Sequence, residues 1–206
     1  MRFIALELGP FFSNCYVVGA ETDGEGMVID AGAEPQDIMV AVKRLRLKIK
    51  YVVATHGHMD HVGAVREVKQ ATGAQFVIHQ ADVPFLSRRT FGGSGAAAMQ
   101  PDVALHGGEV LTAGNLSLTV VHTPGHSPGG ICLVGNGVVF SGDTLFKQGI
   151  GRYDFPGSSG RQLLDSIQNK LLVLPDETAV YPGHGPETTI GEERRHNPFL
   201  LGDEPL

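Results

Sequence analysis

The segment His56-Gly57-His58-Met59-Asp60-His61 sets the first expectation for the chemistry of this 206-residue chain. Its three histidines and one aspartate stand at positions i, i+2, i+4 and i+5. Imidazole and carboxylate groups are ligands that zinc, iron and manganese accept. Because the spacing alternates, a turn that follows a strand can point these side chains at two different ions. The segment therefore predicts a two-metal hydrolytic centre.

Three more candidate ligands lie far along the chain, each in a turn that contains glycine. His126 ends Thr123-Pro124-Gly125-His126, Asp143 follows Gly142, and His184 ends Pro182-Gly183-His184. Each turn follows an apolar run with a β-like pattern, at residues 116–121, 138–141 and 179–181, and the histidine segment follows a similar run at 51–54. Open α/β sheets bind their ligands at the carboxyl ends of strands. Four strand ends are therefore expected to present metal ligands.

The rest of the pattern predicts a chain rich in strands, with helices between them. Residues 2–8, 14–18 and 27–30 indicate an opening antiparallel meander, and Gly135-Asn136-Gly137 is the strongest hairpin signal. Apolar positions at helical spacing predict helices after Pro35, across Val62 to Val68, and over residues 163–174. Residues 82–105 predict only a short helix and a Gly-rich loop at 91–95, of a length typical of a lid or substrate loop. The pattern fits an α+β sandwich of two mixed sheets covered by helices, with residues 1–206 in a single domain.

Composition and charge exclude several classes of partner. Hydrophobic residues make up 42% and charged residues 18% of the chain, an ordinary globular balance. The formal charge of −6 leaves no evident basic surface, so nucleic acid is not an expected partner. No run of about 20 apolar residues and no signal peptide are evident, so we expect a cytoplasmic protein without a membrane partner. Cys15 and Cys132 lie in β-like runs and are predicted to be buried free thiols.

Taken together, the candidate ligands resemble the signature of the metallo-β-lactamase superfamily, and the resemblance covers the chain from the opening meander to Glu192-Glu193-Arg194. It implies a four-layer αββα sandwich. It also implies two divalent metal ions, with zinc expected first and iron or manganese as alternatives. One ion would be held by His56, His58 and His126, the second by Asp60, His61 and His184, and both would be bridged by Asp143. The remaining histidines are expected on the surface or behind the ligands, and His122 is the candidate for orienting a ligand.

The resemblance implies hydrolysis by a hydroxide that bridges the two metals. Bound cations lower the pKa of water toward about 7, which makes the nucleophile available near neutral pH. Asp60 and Asp143 are the predicted catalytic residues, because Asp60 would orient the hydroxide and Asp143 would fix the spacing of the ions. A thiolate leaving group needs little protonation near pH 7. A thioester therefore suits a site that has no obvious general acid.

Two further stretches, Gly142-Asp143-Thr144-Leu145-Phe146 and Gly149-Ile150-Gly151-Arg152-Tyr153-Asp154, resemble the hydroxyacylglutathione hydrolases (glyoxalase II), especially their short bacterial relatives. This implies a small-molecule thioester such as S-lactoylglutathione as substrate. Arg152, with Tyr153 and Lys147 near it, is the implied substrate-binding set. Asp154 stands where full-length glyoxalase II has a glutathione-binding tyrosine, and we do not expect the C-terminal helical domain of that enzyme in this protein. The resemblance therefore implies the chemistry more firmly than the glutathione specificity.

Two alternatives remain open at this point. A mononuclear iron persulfide dioxygenase, which is an oxidoreductase, has a similar histidine loop and a pattern like Gly151-Arg152-Tyr153-Asp154. It would hold one iron through His58 or His56, together with His126 and Asp143. Asp60, His61 and His184 would then have no second ion. A non-catalytic metal-binding domain is the other alternative. Metal identity and oxygen consumption separate the two enzymes, and the oligomeric state is not predicted.

Overall fold

Two six-stranded sheets lie at the centre of the structure, a computed structural model that describes residues 1–21, 24–87, 99–202 and 204. In spatial order, the first sheet contains β1 (Arg2–Leu8), β2 (Ser13–Gly19), β3 (Glu25–Ile29), β4 (Lys48–Val53), β5 (Gln75–His79) and β6 (Val103–Leu105). The second contains β14 (Thr188–Thr189), β13 (Ala179–Pro182), β10 (Val138–Gly142), β9 (Ile131–Gly135), β8 (Leu116–His122) and β7 (Val110–Ala113). A short separate hairpin pairs β11 (Leu145–Phe146) with β12 (Gly149–Ile150).

Both sheets are mixed, as the sequence predicts. In the first, β1, β2 and β3 form the antiparallel meander and β3 to β6 run parallel. In the second, all pairs are antiparallel except β10 with β13. The β9–β10 turn has positive φ angles at Asn136 (53°) and Gly137 (76°). Positive φ at both central residues is the requirement of a type I′ hairpin, so the predicted turn is confirmed.

Helices cover the outer face of each sheet. Those of the first sheet are α1 (Pro35–Leu45), α2 (Met59–Val62) and α3 (Val65–Thr72), with a 3-10 helix at Gln80–Ser87. Those of the second are α4 (Gly160–Ser166), which continues as a π-helix over Ile167–Leu171, then α5 (Ile190–His196) and α6 (Pro198–Leu201). Within the described part of the chain, none of the helices has the length and apolar character needed to cross a bilayer.

The helices and sheets form four layers, and three hydrophobic clusters lie between them. Along β2 the side chains alternate, so Val17 packs with Ile38 of α1 and Val65 of α3, while Tyr16 and Val18 pack toward the second sheet. Further residues of the inter-sheet cluster include Met27, Leu118 and Phe140. On the far side, Val139 of β10 packs with residues of the second helical layer, among them Leu163, Ile167 and Ile190. The order helix, sheet, sheet, helix confirms the predicted αββα sandwich. Cys15 and Cys132 are buried free thiols, also as predicted.

The predicted helix across Val62 to Val68 is divided in two. The Ala64 N–H leaves the helical pattern and donates to the Ala31 carbonyl at 2.9 Å. Gly63 approaches the end of β3 so closely that a Cβ there would lie 2.4 Å from the Gly32 oxygen. Contact with another part of the chain therefore ends α2, and hydrophobic spacing alone does not show such a contact.

Two other regions also differ from the pattern-based expectation. The stripe predicted over residues 163–174 is α-helical only as far as Ser166 and then widens into the π-helix, which keeps Ile167 and Leu171 buried. In the region 82–105, the predicted short helix corresponds to Gln80–Ser87, whereas β6 was not predicted. The predicted Gly-rich loop at 91–95 lies outside the described residues.

Candidate metal centre

Strand ends bring all of the predicted metal ligands together. His56 follows β4 of the first sheet, while His126, Asp143 and His184 follow β8, β10 and β13 of the second. The other ligands lie on the same loop as His56 and in the short helix α2. The centre therefore lies at one end of the sandwich, between the two sheets, where the four strands finish.

The first group of ligands consists of three histidines. Ring nitrogens of His56, His58 and His126 all lie within 4.8 Å of one another. The closest pair is His58 Nδ1 and His126 Nε2, which are 2.9 Å apart. This trio is the set that the resemblance assigns to one ion.

The second group contains Asp60, His61 and His184, whose ligand atoms again lie within 4.8 Å. His184 Nε2 is 3.3 Å from His61 Nε2 and 3.3 Å from Asp60 Oδ2. Tetrahedral zinc with ligands at 2.0–2.1 Å has neighbouring ligand atoms about 3.3 Å apart. The spacing in this group therefore fits a single ion at its centre.

Asp143 lies between the two groups. Its Oδ1 is 3.5 Å from His61 Nε2 in the second group. Its Oδ2 is 3.5 Å from His126 Nε2 in the first group and 3.6 Å from His184 Nε2 in the second. Glycines make room for this residue, since a Cβ on Gly183 would lie 2.1 Å from Asp143 Oδ1 and a Cβ on Gly151 would collide with the Asp143 carbonyl oxygen. The carboxylate is thus placed where it could contact ions in both groups.

Hydrogen bonds from the protein orient three of the histidines. His61 Nδ1 bonds to Asp30 Oδ2 at 3.0 Å, His126 Nδ1 donates to the Arg152 carbonyl at 2.7 Å, and His184 Nδ1 donates to the Phe11 carbonyl at 3.1 Å. A ring that donates through Nδ1 presents Nε2 as its available ligand atom. All three Nε2 atoms lie beside other members of the centre, which is the arrangement that a metal site requires.

Two buried atoms at the centre also fit a metal. Among the described residues, His56 Nε2 and Asp143 Oδ1 are the buried side-chain polar atoms that have no hydrogen-bond partner. A buried polar group without a partner is costly, and native proteins satisfy nearly all of them. A cation bound between the two groups would satisfy both atoms, so the donor set fits a divalent metal.

Burial keeps two histidines of the first group neutral. Desolvation, with the neighbouring histidines, lowers the pKa of His56 well below its usual value. Burial, together with His126, lowers the pKa of His58 to about 4. Neutral imidazole is the form that binds metals, so these two side chains are in their binding form at neutral pH.

In the second group, neighbouring charged side chains outweigh burial in setting the pKa values. Burial opposes charge on His61, but the carboxylates of Asp143 and Asp30 outweigh it and raise the pKa of His61 to about 9. Burial likewise opposes charge on Asp60, but the hydrogen bond with His184 and the charge of His61 lower its pKa to about 2. The carboxylates therefore favour positive charge at His61, and a divalent ion would take the place of the ring proton, because neutral imidazole is the form that binds metals.

Asp30 belongs to the centre although it was not among the predicted site residues. It lies just after β3, is almost fully buried, and adopts a φ of 57°. Besides its bond with His61, it accepts bonds from the Thr55 N–H and the Thr55 hydroxyl, both at 2.7 Å. Asp30 therefore ties the start of the histidine loop to one of its ligands. Its position at the end of an apolar strand does not distinguish Asp30 from other residues that follow strands, and its contacts with Thr55 and His61 form only when the chain is folded.

The predicted substrate-binding residues are less close to the ligands. The Arg152 guanidinium is exposed, lies 4.4 Å from the centre of the Phe155 ring, and forms a two-point ion pair with Asp154. Tyr153 is half-buried and packs against the cluster between the second sheet and its helices. Lys147 is exposed in the β11–β12 turn. Arg152 is connected to the centre through Phe155, because the ring of Phe155 contacts the guanidinium and lies 5.3 Å from the ring of His58.

Aromatic side chains border the ligands on two sides. Phe155 and Phe85 lie beside His58, with ring centres 5.3 and 5.9 Å away, and Phe146 lies 6.1 Å from His184. His122 and His79 stack on each other at 3.9 Å. His122 donates to the Pro128 carbonyl at 2.9 Å, so it supports the loop that carries His126. His106 and His196 are exposed.

Comparison with known proteins identifies the class of protein that this fold and centre define. A family profile described as the Metallo-beta-lactamase superfamily matches residues 8–184. The chain belongs to that superfamily. It is 37% identical, over 97% of its own length and 98% of the relative's, to hydroxyacylglutathione hydrolase GloC of Haemophilus influenzae. It is 36% identical to the probable metallo-hydrolase YqgX of Bacillus subtilis, over 98% and 99% of the two chains.

Solved structures show the same architecture. The BLEG-1 B3 metallo-β-lactamase has a TM-score of 0.90 and 39% identity, covering 98% of this chain and 100% of its own. TTHA1623 in a di-iron-bound form has a TM-score of 0.84 and 38% identity, with coverage of 96% and 100%. ETHE1 from Myxococcus xanthus has a TM-score of 0.82 and 33% identity, with coverage of 98% and 85%. The relatives thus include more than one activity.

Proposed function

We propose that this chain is a metal-dependent hydrolase that cleaves small thioesters such as S-lactoylglutathione. The observation that carries the proposal is the position of Asp143, whose carboxylate oxygens lie within 3.6 Å of ligand atoms in both complete ligand groups. The full-length likeness to hydroxyacylglutathione hydrolase GloC supports the thioester as substrate class.

Seven side chains would hold the metals in this proposal. His56, His58 and His126 would bind one ion, Asp60, His61 and His184 the other, and Asp143 both. Zinc is the first expectation for such nitrogen and oxygen ligands, and the di-iron form of TTHA1623 makes iron the main alternative. Bound as a pair, the cations would supply a hydroxide nucleophile near neutral pH and stabilise negative charge on the substrate carbonyl oxygen.

The protein's own groups would orient the reactants. Asp60, with its lowered pKa, remains a carboxylate at neutral pH and can accept a hydrogen bond from the nucleophile. Asp143 would keep the two ligand groups at a fixed separation. Phe155 lies beside His58 and Phe146 beside His184, where their apolar rings would limit the access of bulk water to the thioester. Arg152, Tyr153 and Lys147 are the proposed contacts for the remainder of the substrate.

A persulfide dioxygenase is the second candidate, because the histidine loop and Gly151-Arg152-Tyr153-Asp154 resemble that family. That reaction would need one iron, held by His58 or His56 with His126 and Asp143. The complete group formed by Asp60, His61 and His184 favours the two-metal hydrolase.

Metal analysis combined with a substrate panel tests the proposal. The panel contains S-lactoylglutathione, other small thioesters, glutathione persulfide with an oxygen electrode, and a chromogenic β-lactam. We expect two ions per chain, release of free thiol from a thioester, and no oxygen uptake. One iron per chain with oxygen consumption would establish the dioxygenase instead, and hydrolysis of the β-lactam alone would contradict the thioester.

A further inference from the structure

A buried carboxylate outside the ligand set connects two of the ligand loops. Asp82 lies in the 3-10 helix Gln80–Ser87 and is fully buried. Its Oδ2 accepts hydrogen bonds from the Gly57 N–H at 2.8 Å and the Ser127 hydroxyl at 2.7 Å, and its Oδ1 accepts one from the Gly129 N–H at 2.6 Å. Hydrogen bonds to a charged acceptor in a buried site are stronger than those between neutral groups.

The three donors come from the two loops that supply the first ligand group. Gly57 is the residue between His56 and His58, while Ser127 and Gly129 follow His126 directly. The first loop follows the first sheet and the second loop follows the second sheet. A single side chain therefore fixes the position of one loop relative to the other.

Asp82 packs closely against the backbone of both ligand loops. A Cβ on Gly129 would lie 2.7 Å from Asp82 Cγ, and a Cβ on Gly57 would lie 3.0 Å from the Asp82 carbonyl oxygen. Glycine at both positions allows the loops to reach the carboxylate. The requirement for glycine at position 57 thus comes from Asp82 and its helix rather than from the metal ligands themselves.

We propose that Asp82 is a positioning residue for the ion bound by His56, His58 and His126, setting the distance between the two loops that carry them. The proposal rests on the metal centre of the proposed function. Other residues position the second group, because His61 is hydrogen-bonded to Asp30 and His184 to the Phe11 carbonyl. The effect of Asp82 should therefore be specific to one of the two ions.

Site-resolved titration with cobalt(II) tests this specificity, since the d–d absorption of cobalt(II) reports binding without any substrate. In an H184A background the first group is intact, and in an H58A background the second group is intact. Adding D82A should weaken cobalt(II) binding about 10- to 100-fold in the H184A background and leave it unchanged in the H58A background. Asp37→Ala, which removes an exposed carboxylate on α1, is the control for the loss of one negative charge.

A merely structural role gives a different result. Equal weakening in both backgrounds, or no weakening in either, would overturn the proposal. If D82A does not fold, S127A removes one of the three hydrogen bonds and keeps the carboxylate. It should weaken only the first group, by about 3- to 10-fold, and an unchanged first group would again contradict the proposal. Wild-type protein that binds two ions but cleaves no thioester would disprove the proposed function. The cobalt(II) titration would still test the role of Asp82, because it does not depend on the substrate.

Discussion

At the scale of single residues, Asp143 has the clearest expected effect. Replacing it with asparagine removes the negative charge that faces both ligand groups, while the fold keeps its packing. We expect the metal content to fall and thioester turnover to drop more than about 100-fold, with little change in the far-ultraviolet circular dichroism spectrum. Elemental analysis and a free-thiol assay measure the two effects, and Asp165→Asn on the exposed face of α4 is the matched control. Full turnover in the Asp143 variant would contradict its bridging position.

The pair formed by Arg152 and Asp154 leads to a prediction about substrate charge. An anionic substrate group would compete with Asp154 for the guanidinium, because Asp154 already contacts it at two points. Exposed ion pairs are weak, so D154N should lower the KM for an anionic thioester about two- to fivefold, and Arg152→Ala should raise KM more than it lowers kcat. Steady-state kinetics with an anionic and a neutral thioester test this. A similar change for both substrates would show that Arg152 does not bind the anion.

The metal ligands could be predicted because their spacing and order along the chain are distinctive, whereas Asp30 and Asp82 could not. Each of the latter is a lone aspartate in the sequence, and its function depends on donors that come from distant residues. Thr55 is 25 positions from Asp30, and Gly129 is 47 positions from Asp82. A residue that supports a site through such contacts is visible only when the chain is folded.

At the scale of secondary structure elements, the sequence predicted the hairpin that its own turn residues determine. It did not predict elements whose ends depend on contacts with distant parts of the chain. The β9–β10 hairpin was predicted because Asn136 and Gly137 determine the turn themselves. The break between α2 and α3 was missed because it depends on the Ala64 N–H reaching Ala31. The strand β6 has only three residues and pairs with β5. Such a short strand gives little periodic signal of its own.

The strand β10 is the element that links the core to the centre, since it ends directly before Asp143. Phe140 of this strand is fully buried and its ring lies 5.1 Å from that of Tyr16 and 5.5 Å from that of Tyr181. Phe140→Ala should lower the free energy of unfolding by about 3–5 kcal/mol through lost burial and the cavity that remains. Denaturant titration of metal-free protein measures this. Val173→Ala, at an exposed position, should change it by less than about 0.5 kcal/mol, and equal effects would contradict the packing argument.

At the scale of the whole molecule, the alternation of apolar residues and the ligand signature together predicted the αββα architecture. Neither signal gave the strand order across the sheets, because order depends on which edges pair after the chain has folded. In the second sheet, for example, β13 lies beside β10 although two strands and a helical segment separate them along the chain.

The position of the ligands also predicts that metal binding stabilises the whole sandwich. The loop after β4 and the helix α2 supply His56, His58, Asp60 and His61. Because His126, Asp143 and His184 follow strands of the second sheet, bound ions would connect the two sheets. An ion at 100 times its Kd stabilises the folded state by about 2.7 kcal/mol. For a chain of this size, removing such an ion should lower Tm by roughly 5–10 °C. Calorimetry before and after chelation, and again after zinc is restored, measures the shift. Asp143→Asn provides the control, because its Tm should respond less to the chelator, and an unchanged Tm in the wild type would show that the ions do not join the sheets.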